Sequence, residues 1–270
     1  MIAPGGGIRA GAAALGAVAA LIGATAVAWA GAWTLPQGEG LLIASLYGWF
    51  GQGAPWGGNN PAVKQNREGA EAYVEYGLAD GLTLFGQTGL ERYALSPPSQ
   101  NVYEGLDYSD VGLRARLWTT GQWVFSGEAT VFLPGARDSK QPAQAGNTGG
   151  AAEGRLLAGY GFSVGATPAF FDAEFGYRVR TAGPPDEWHA DLTLGIKPTP
   201  RLMLMLQDFT TVSAAATNRN FPAWRSSILE GSVVIGLDDH WSVQVGLFTS
   251  VLAVATNTER GAILSLWRKF

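Results

Sequence analysis

The stretch from Phe171 to Arg180 alternates apolar side chains with charged residues or glycine, and this alternation restricts the fold more than any other feature of the chain. Successive side chains of a β-strand point to opposite faces, so one face of this segment is apolar and the other is ionic. The following segment repeats the pattern, with Trp188, Leu192 and Leu194 opposite Glu187, His189 and Asp191. Repetition over segments of about ten residues predicts a membrane barrel, apolar outside and polar inside.

Twelve segments of the chain show this alternation. They are Gly38–Phe50, Glu68–Leu78, Leu82–Leu95, Asp107–Trp118, Gln122–Phe132, Ala152–Phe162, Ala169–Arg180, Glu187–Lys197, Arg201–Thr211, Ser226–Leu237, Trp241–Val251 and Arg260–Phe270. Short and long connections alternate between them, as in bacterial outer-membrane barrels with short periplasmic turns and long external loops. The sequence therefore predicts an all-β fold, a transmembrane antiparallel up-and-down β-barrel of about 12 strands, located in the outer membrane of a Gram-negative bacterium.

The first thirty residues differ from the rest of the chain. Arg9 precedes a weakly apolar, Ala- and Gly-rich run that ends with Ala28-Trp29-Ala30, a small-residue cleavage pattern. A positive start, an apolar middle and an A-x-A end predict a secretory signal peptide over 1–30, with the barrel domain over 31–270. A membrane anchor is the alternative, although Ala and Gly make the run poorly hydrophobic.

Composition excludes several classes of function. The chain has no Cys, a net charge of −4 and no basic run, so a disulfide framework, a thiolate metal site and a nucleic-acid partner are not expected. No nucleotide-binding motif or multi-acid metal cluster occurs, and no cofactor is predicted. We expect membrane lipid to surround the barrel and a small solute or a polysaccharide to be its cargo.

The alternation assigns charged side chains of both signs to the lumen, because an unpaired charge facing hydrocarbon is costly. Two interpretations stay open: a lattice of salt bridges that stiffens a nearly closed barrel, or a water-filled pore that sorts solutes by charge. The predicted lumen-lining residues are Glu71, Glu75, Glu91, Asp110, Arg114, Arg116, Glu128, Glu153, Arg155, Asp172, Glu174, Arg178, Arg180, His189, Asp191 and Glu230.

Catalysis is not expected. The two histidines are His189, predicted inside the barrel between Glu187 and Asp191, and His240 in a predicted short turn. His189 has no Ser within two positions on its own strand face, as a serine hydrolase built on one strand would require. A cross-strand partner stays open, and the sequence predicts no catalytic residues.

The C-terminal strand ends on Phe270, which resembles the terminal signal by which outer-membrane barrels are recognised for assembly. The barrel-assembly machinery is therefore an expected partner. Aromatic residues near the strand ends predict an inner girdle at the membrane surface. Its predicted members are Tyr76, Trp123, Phe162, Phe171, Trp241 and Phe270.

The segment Gly31-Ala32-Trp33-Thr34-Leu35-Pro36-Gln37-Gly38-Glu39-Gly40 resembles the start of the mature chain in the bacterial family XagA. Tyr73-Val74-Glu75-Tyr76-Gly77-Leu78, leading into Ala79-Asp80-Gly81, resembles the first tight hairpin of the same family. The resemblance implies a role in exporting or handling a surface polysaccharide in biofilm formation. It supplies no catalytic or binding residues.

These observations predict a passive channel for small hydrophilic solutes or glycans. A non-conducting accessory barrel of a surface-polysaccharide system is the first alternative, and an outer-membrane lipid-modifying enzyme is a distant second.

Overall fold

The computed structural model describes residues 31–53, 63–96, 101–136, 143, 148–181, 184–216 and 222–270. The predicted signal peptide lies outside these residues. Within them, no helix is long and apolar enough to span a membrane.

In the part of the chain that the structure describes, thirteen antiparallel strands form one sheet that closes on itself. They are β1 (Gly40–Gly53), β2 (Val63–Ala79), β3 (Leu82–Leu95), β4 (Asn101–Leu106), β5 (Ser109–Thr120), β6 (Trp123–Leu133), β7 (Ala151–Val164), β8 (Thr167–Arg180), β9 (Glu187–Thr199), β10 (Leu202–Ser213), β11 (Arg225–Gly236), β12 (Trp241–Val254) and β13 (Thr258–Lys269).

The thirteen strands occupy twelve positions around the barrel wall, because β4 and β5 pair with the same edge of β3. β4 pairs with Leu90–Leu95 at one end of β3, and β5 pairs with Leu82–Gln87 at the other. Pairing of β1 with both β13 and β2 completes the circle. The predicted twelve-stranded antiparallel barrel is confirmed.

Connections on the long-loop side are shorter than the sequence predicts. The predicted loop Ser96–Leu106 contains β4, and the predicted loop Leu252–Glu259 shrinks to the three residues between Val254 and Thr258. In both places backbone pairing continues past the predicted end of a strand: β4 pairs with Leu90–Leu95, and β12 pairs with β11 as far as Val254. On β2, the exposed Lys64, Asn66 and Glu68 precede the apolar outer row.

The outer wall is a belt of exposed apolar side chains with stacked aromatic rings at the short-turn end. Trp123 lies 4.6 Å from Tyr160, and Tyr160 stacks on Phe162 at 5.8 Å. Trp118 stacks on Phe125 at 5.4 Å and extends this row. Trp123 and Phe162 thus lie where the sequence predicts a girdle, and aromatic rings at this depth anchor a barrel at the membrane surface.

Asp208 departs from the rule that charges point inward. Asp208 is paired directly with Leu192 and Leu229, and Leu192 is exposed on the outer face, so Asp208 also faces outward. The hydroxyl of Ser227 donates to its carboxylate at 2.6 Å, and Thr210 donates at 3.1 Å. These two hydroxyls lower the cost of leaving a polar group on the membrane side.

Candidate functional site

Clusters of ion pairs line the lumen, and three of them involve Arg114, Arg155 and Arg180. In the first, Arg114 of β5 binds Glu75 of β2 at 2.8 Å and Glu128 of β6 at 3.1 Å. All three side chains are nearly inaccessible to solvent. Because an unpaired buried charge is costly, each member of this cluster depends on the others.

The second cluster joins β7, β8 and β9. Arg155 binds Glu153 and Asp191 and lies 2.9 Å from Glu174. Arg178 binds the other oxygen of Glu153 at 2.7 Å. Charged side chains from three neighbouring strands therefore saturate one another, as the lattice interpretation of the sequence requires.

The third cluster surrounds Glu187. Arg180 donates to both of its oxygens, at 2.9 and 3.0 Å, and His189 Nε2 lies 3.2 Å away. The hydroxyl of Thr211, from the neighbouring strand, lies 3.4 Å from His189 Nδ1. Arg180 already binds Glu187 through two hydrogen bonds, so His189 is part of an ion-pair network around this carboxylate.

The other predicted lumen residues have individual surroundings. Glu71 accepts a hydrogen bond from Gln87 at 3.3 Å, and Glu230 accepts one from Gln244 at the same distance. Glu91 binds Arg67, and Asp110 is half-buried.

Arg116 is the exception. It is exposed, and its backbone N–H donates to the Gly81 carbonyl at 2.8 Å. The register of β5 against β6 shifts directly after it, between Arg116 and Trp118. This bulge ends the regular alternation, so Arg116 lies at the short-turn mouth and not among the buried ion pairs.

The lumen also contains a chain segment that the sequence did not predict there. Residues 31–38, which we call the N-terminal segment, enter the short-turn half of the barrel. The N–H of Ala32 donates to Asp172 Oδ2 at 2.8 Å, and the N–H of Leu35 donates to Thr83 Oγ1 at 2.8 Å. Arg114 Nη1 lies 3.3 Å from the Trp33 carbonyl. Inward side chains of the wall thus satisfy the backbone of this segment.

Apolar side chains hold the opposite side of the N-terminal segment. Trp33 meets Phe170 edge to face at 6.0 Å, and Leu35 is buried in the same cluster. The wall contributes Leu41, Phe170, Met203, Met205, Val234 and Trp267. An apolar patch inside a polar lumen needs a partner that covers it, and the N-terminal segment is that partner.

Glycines make room for the segment. A Cβ at Gly159 would lie 2.6 Å from the Trp33 ring, and one at Gly77 would lie 1.9 Å from the Pro36 carbonyl oxygen. A signal for this arrangement was present in the sequence: Met203, Met205, Val234 and Trp267 occupy inward positions near one end of their strands. Alternation alone did not show what covers them.

A cavity of about 220 Å³ lies in the long-loop half of the lumen, and we call it the outer cavity. Its lining combines aromatic rings, both signs of charge and small polar groups. The lining residues are Trp49, Arg67, Glu91, Tyr93, Asp107, Tyr108, Ala143, Arg180, Trp224, Ser226, Ile228, Ser250, Thr256, Asn257 and Glu259.

Comparisons with known proteins identify the architecture. The sequence matches no protein-family profile and no curated protein. The fold is similar to an outer membrane channel from Pseudomonas putida F1, with 15% identity, 90% of this chain and 100% of that chain covered, and a TM-score of 0.70.

Two autotransporter domains are also similar. The β domain of Bordetella BrkA has 12% identity, covers 87% of this chain and 100% of its own, and has a TM-score of 0.57. The translocator domain of Neisseria meningitidis NalP has 9% identity, 94% and 93% coverage and a TM-score of 0.53. The protein is therefore an outer-membrane β-barrel with the fold of bacterial outer-membrane channels.

Proposed function

We propose that the protein is a passive channel for small hydrophilic solutes, without catalysis. The observation that carries this proposal is the position of the N-terminal segment. It lies in the short-turn half of the lumen and is not part of the strands that form the wall. In eight-stranded barrels the wall side chains themselves fill the interior, whereas twelve strands leave room for a removable segment.

The contacts of the N-terminal segment favour reversible displacement. Its polar anchors, such as Leu35 N–H to Thr83 and Ala32 N–H to Asp172, are individual hydrogen bonds to side chains. The net contribution of each is about 0.5–1.5 kcal/mol, or about 1.5–3 kcal/mol where a charged group takes part. Displacing the segment leaves every strand pairing of the wall intact, so the barrel can open without unfolding.

Single-channel recording in planar bilayers tests this proposal. We expect small or rare steps from the native protein, and larger, frequent steps when residues 32–37 are replaced by a Gly/Ser sequence of equal length. A matched control replaces the exposed residues 163–166, which form the end of β7 and the turn to β8, by a Gly/Ser sequence and is expected to conduct like the native protein. Folded barrels that stay silent in all three forms would refute the channel.

The second candidate is a non-conducting accessory barrel of a surface-polysaccharide system. Its support is the saturation of the ion pairs around Arg114 and Arg155, together with the resemblance of the N-terminal motif to XagA. Silent barrels after removal of the segment, combined with loss of surface polysaccharide in a deletion strain, would favour this function.

A further inference from the structure

Four aromatic side chains converge on the outer cavity: Trp49, Tyr93, Tyr108 and Trp224. The rings of Trp49 and Tyr93 are 5.9 Å apart and inclined to each other by 52°, so they form two sides of a corner. The faces of Trp and Tyr rings carry negative potential and attract organic cations. They also pack against the C–H groups of neutral ligands, so the charges of the cavity must decide between these ligand classes.

Both arginines of the cavity are engaged by acids of the protein. Arg67 binds Glu91 and lies 2.8 Å from Asp107. Arg180 makes two hydrogen bonds to Glu187 and donates a third, at 3.1 Å, to the Tyr108 hydroxyl. An anionic ligand would have to compete with these carboxylates, so the cavity is poorly suited to anions.

Of the three acids in the described lining of the cavity, Glu259 is the one that forms no ion pair with a described residue. Among the described residues, no Arg, Lys or His lies within 4.0 Å of its carboxylate. Its side chain accepts a hydrogen bond from Asn257 at 2.8 Å, and its backbone N–H donates to Ser250 Oγ at 2.8 Å. A carboxylate has about four acceptor positions, so most of its capacity remains for a ligand. The described lining carries two cations and three anions, a balance of −1.

We propose that the outer cavity binds a small organic cation, a substituted ammonium ion, with its charge at Glu259 and its alkyl groups against Trp49 and Tyr93. The volume of about 220 Å³ is below the roughly 300–1,000 Å³ of pockets for drug-sized ligands, so the ligand is small. This inference deepens the proposed function and rests on it in one respect, namely that bound cations go on to pass through the lumen.

Tryptophan fluorescence of the full-length barrel in detergent micelles tests the site, with choline chloride as the probe and sodium chloride holding the ionic strength constant. Trp49 and Trp224 line the cavity, so we expect a saturable change with choline. Glu259→Gln keeps the shape of the side chain and removes its charge, and we expect it to weaken choline binding about tenfold or more. Glu259→Asp keeps the charge and is expected to retain measurable binding.

Glu104→Gln is the matched control. Glu104 lies on β4 near the same end of the barrel, but it is exposed and paired with Arg92 on the outer face. We expect this variant to bind choline like the native protein. Thermal unfolding of each variant shows whether it is folded.

Three results would overturn the proposal: no saturable change with choline in the native protein, equal choline affinity in the native protein and Glu259→Gln, or saturable binding of glucose that does not depend on Glu259. The last would identify a saccharide site instead. Because the titration needs no conduction, the two proposals fail separately. Choline binding by barrels that stay silent in all three forms described above would refute the channel alone, and conducting barrels that do not bind choline would refute this site alone.

Discussion

Gly77→Ala is the sharpest test of whether the N-terminal segment closes the lumen. Gly77 lies on β2 and faces the N-terminal segment, and an added Cβ would lie 1.9 Å from the Pro36 carbonyl oxygen and 2.9 Å from that of Leu35. Both neighbours are backbone atoms, which cannot swing away as a side chain can. Ordinary contact begins near 3.4 Å, so the segment must retreat by about 1.5 Å, the difference between 3.4 and 1.9 Å.

A displacement of this size is enough to break the anchors of the segment. The Leu35 N–H to Thr83 hydrogen bond is 2.8 Å long, and stretching it by about 1.5 Å would end it. Losing one or two such bonds costs about 0.5–1.5 kcal/mol each, and overpacking costs about 1–3 kcal/mol. The closed state should therefore lose about 2–4 kcal/mol, which shifts the ratio of closed to displaced segments roughly 30-fold to 1,000-fold.

A single introduced thiol can report the displacement of the segment, because the sequence contains no other cysteine. Ala32 is completely buried, and Ala32→Cys introduces one small thiol into the segment. The rate at which a water-soluble maleimide labels that thiol measures how often the segment leaves. We expect faster labelling in the Gly77→Ala background, by roughly the factor calculated above.

Gly231→Ala is the matched control, because no heavy atom lies within 4 Å of its added Cβ. Labelling in this background should match that of Ala32→Cys alone. Equal labelling rates in the Gly77→Ala and Gly231→Ala backgrounds would refute the reasoning, since the wall would then have yielded and the segment would have stayed in place.

Three further changes test other parts of the structure. Arg114→Leu leaves the buried Glu75 and Glu128 without their cation, so we expect the free energy of unfolding in urea to fall by about 3–5 kcal/mol. For the exposed Arg92→Leu we expect a decrease of less than about 1 kcal/mol. Asp238 accepts the N–H groups of His240 and Trp241 at 2.7 Å, and these bonds hold its pKa below its usual value. The ionised carboxylate therefore stabilises the turn at neutral pH and stops doing so as the pH falls through that lowered pKa. Asp238→Ala should lower the protection factors of the His240 and Trp241 amides at pH 7, whereas in the native protein these protection factors should fall only as the pH drops through the lowered pKa. Phe270→Ala should reduce the amount of protein inserted in the outer membrane without changing the conductance of inserted barrels, and equal insertion would count against an assembly signal.

The barrel was predictable because alternation follows directly from strand geometry and from the cost of charge in hydrocarbon. The pair Phe175 and Glu174 illustrates this: one is exposed on the outer wall, and the other binds Arg155 inside. β4 was not predicted because its six residues follow the Pro- and Ser-rich stretch 96–100, whose composition is typical of a loop. Asp208 was not predicted because two neighbouring hydroxyls replace the water it would otherwise need.

The contents of the lumen were harder to predict than its wall. Alternation places Met205 and Trp267 inside, yet it cannot show that both meet Leu35, which precedes the first strand. Glu259 and Trp49 raise the same difficulty, since their shared cavity follows from closure of the ring and from the inclination of its strands. Contacts between residues more than a hundred positions apart need the closed barrel before they can be recognised.

Gly31 is the first residue after the predicted cleavage position and also the first residue of the N-terminal segment inside the lumen. Its φ is +82°, a conformation that favours glycine, and an added Cβ would lie 2.0 Å from the Asp172 carboxylate. Cleavage before Gly31 would therefore create an ammonium group close to a buried carboxylate that already accepts the N–H of Ala32.

A charge-assisted hydrogen bond of this kind contributes about 1.5–3 kcal/mol, so the new terminus should strengthen closure roughly tenfold to 100-fold. N-terminal sequencing of protein from the outer membrane establishes the cleavage position. Ala32→Cys labelling then compares barrels refolded from chains that begin at Gly31 with barrels that retain Ala30, in which the ammonium group is about 3.8 Å further along the chain. We expect faster labelling when Ala30 is retained, and a smaller difference between the two forms in the Asp172→Asn background. If the two forms label at the same rate, the terminal charge has no part in closure, and hydrogen bonding and apolar packing alone hold the N-terminal segment.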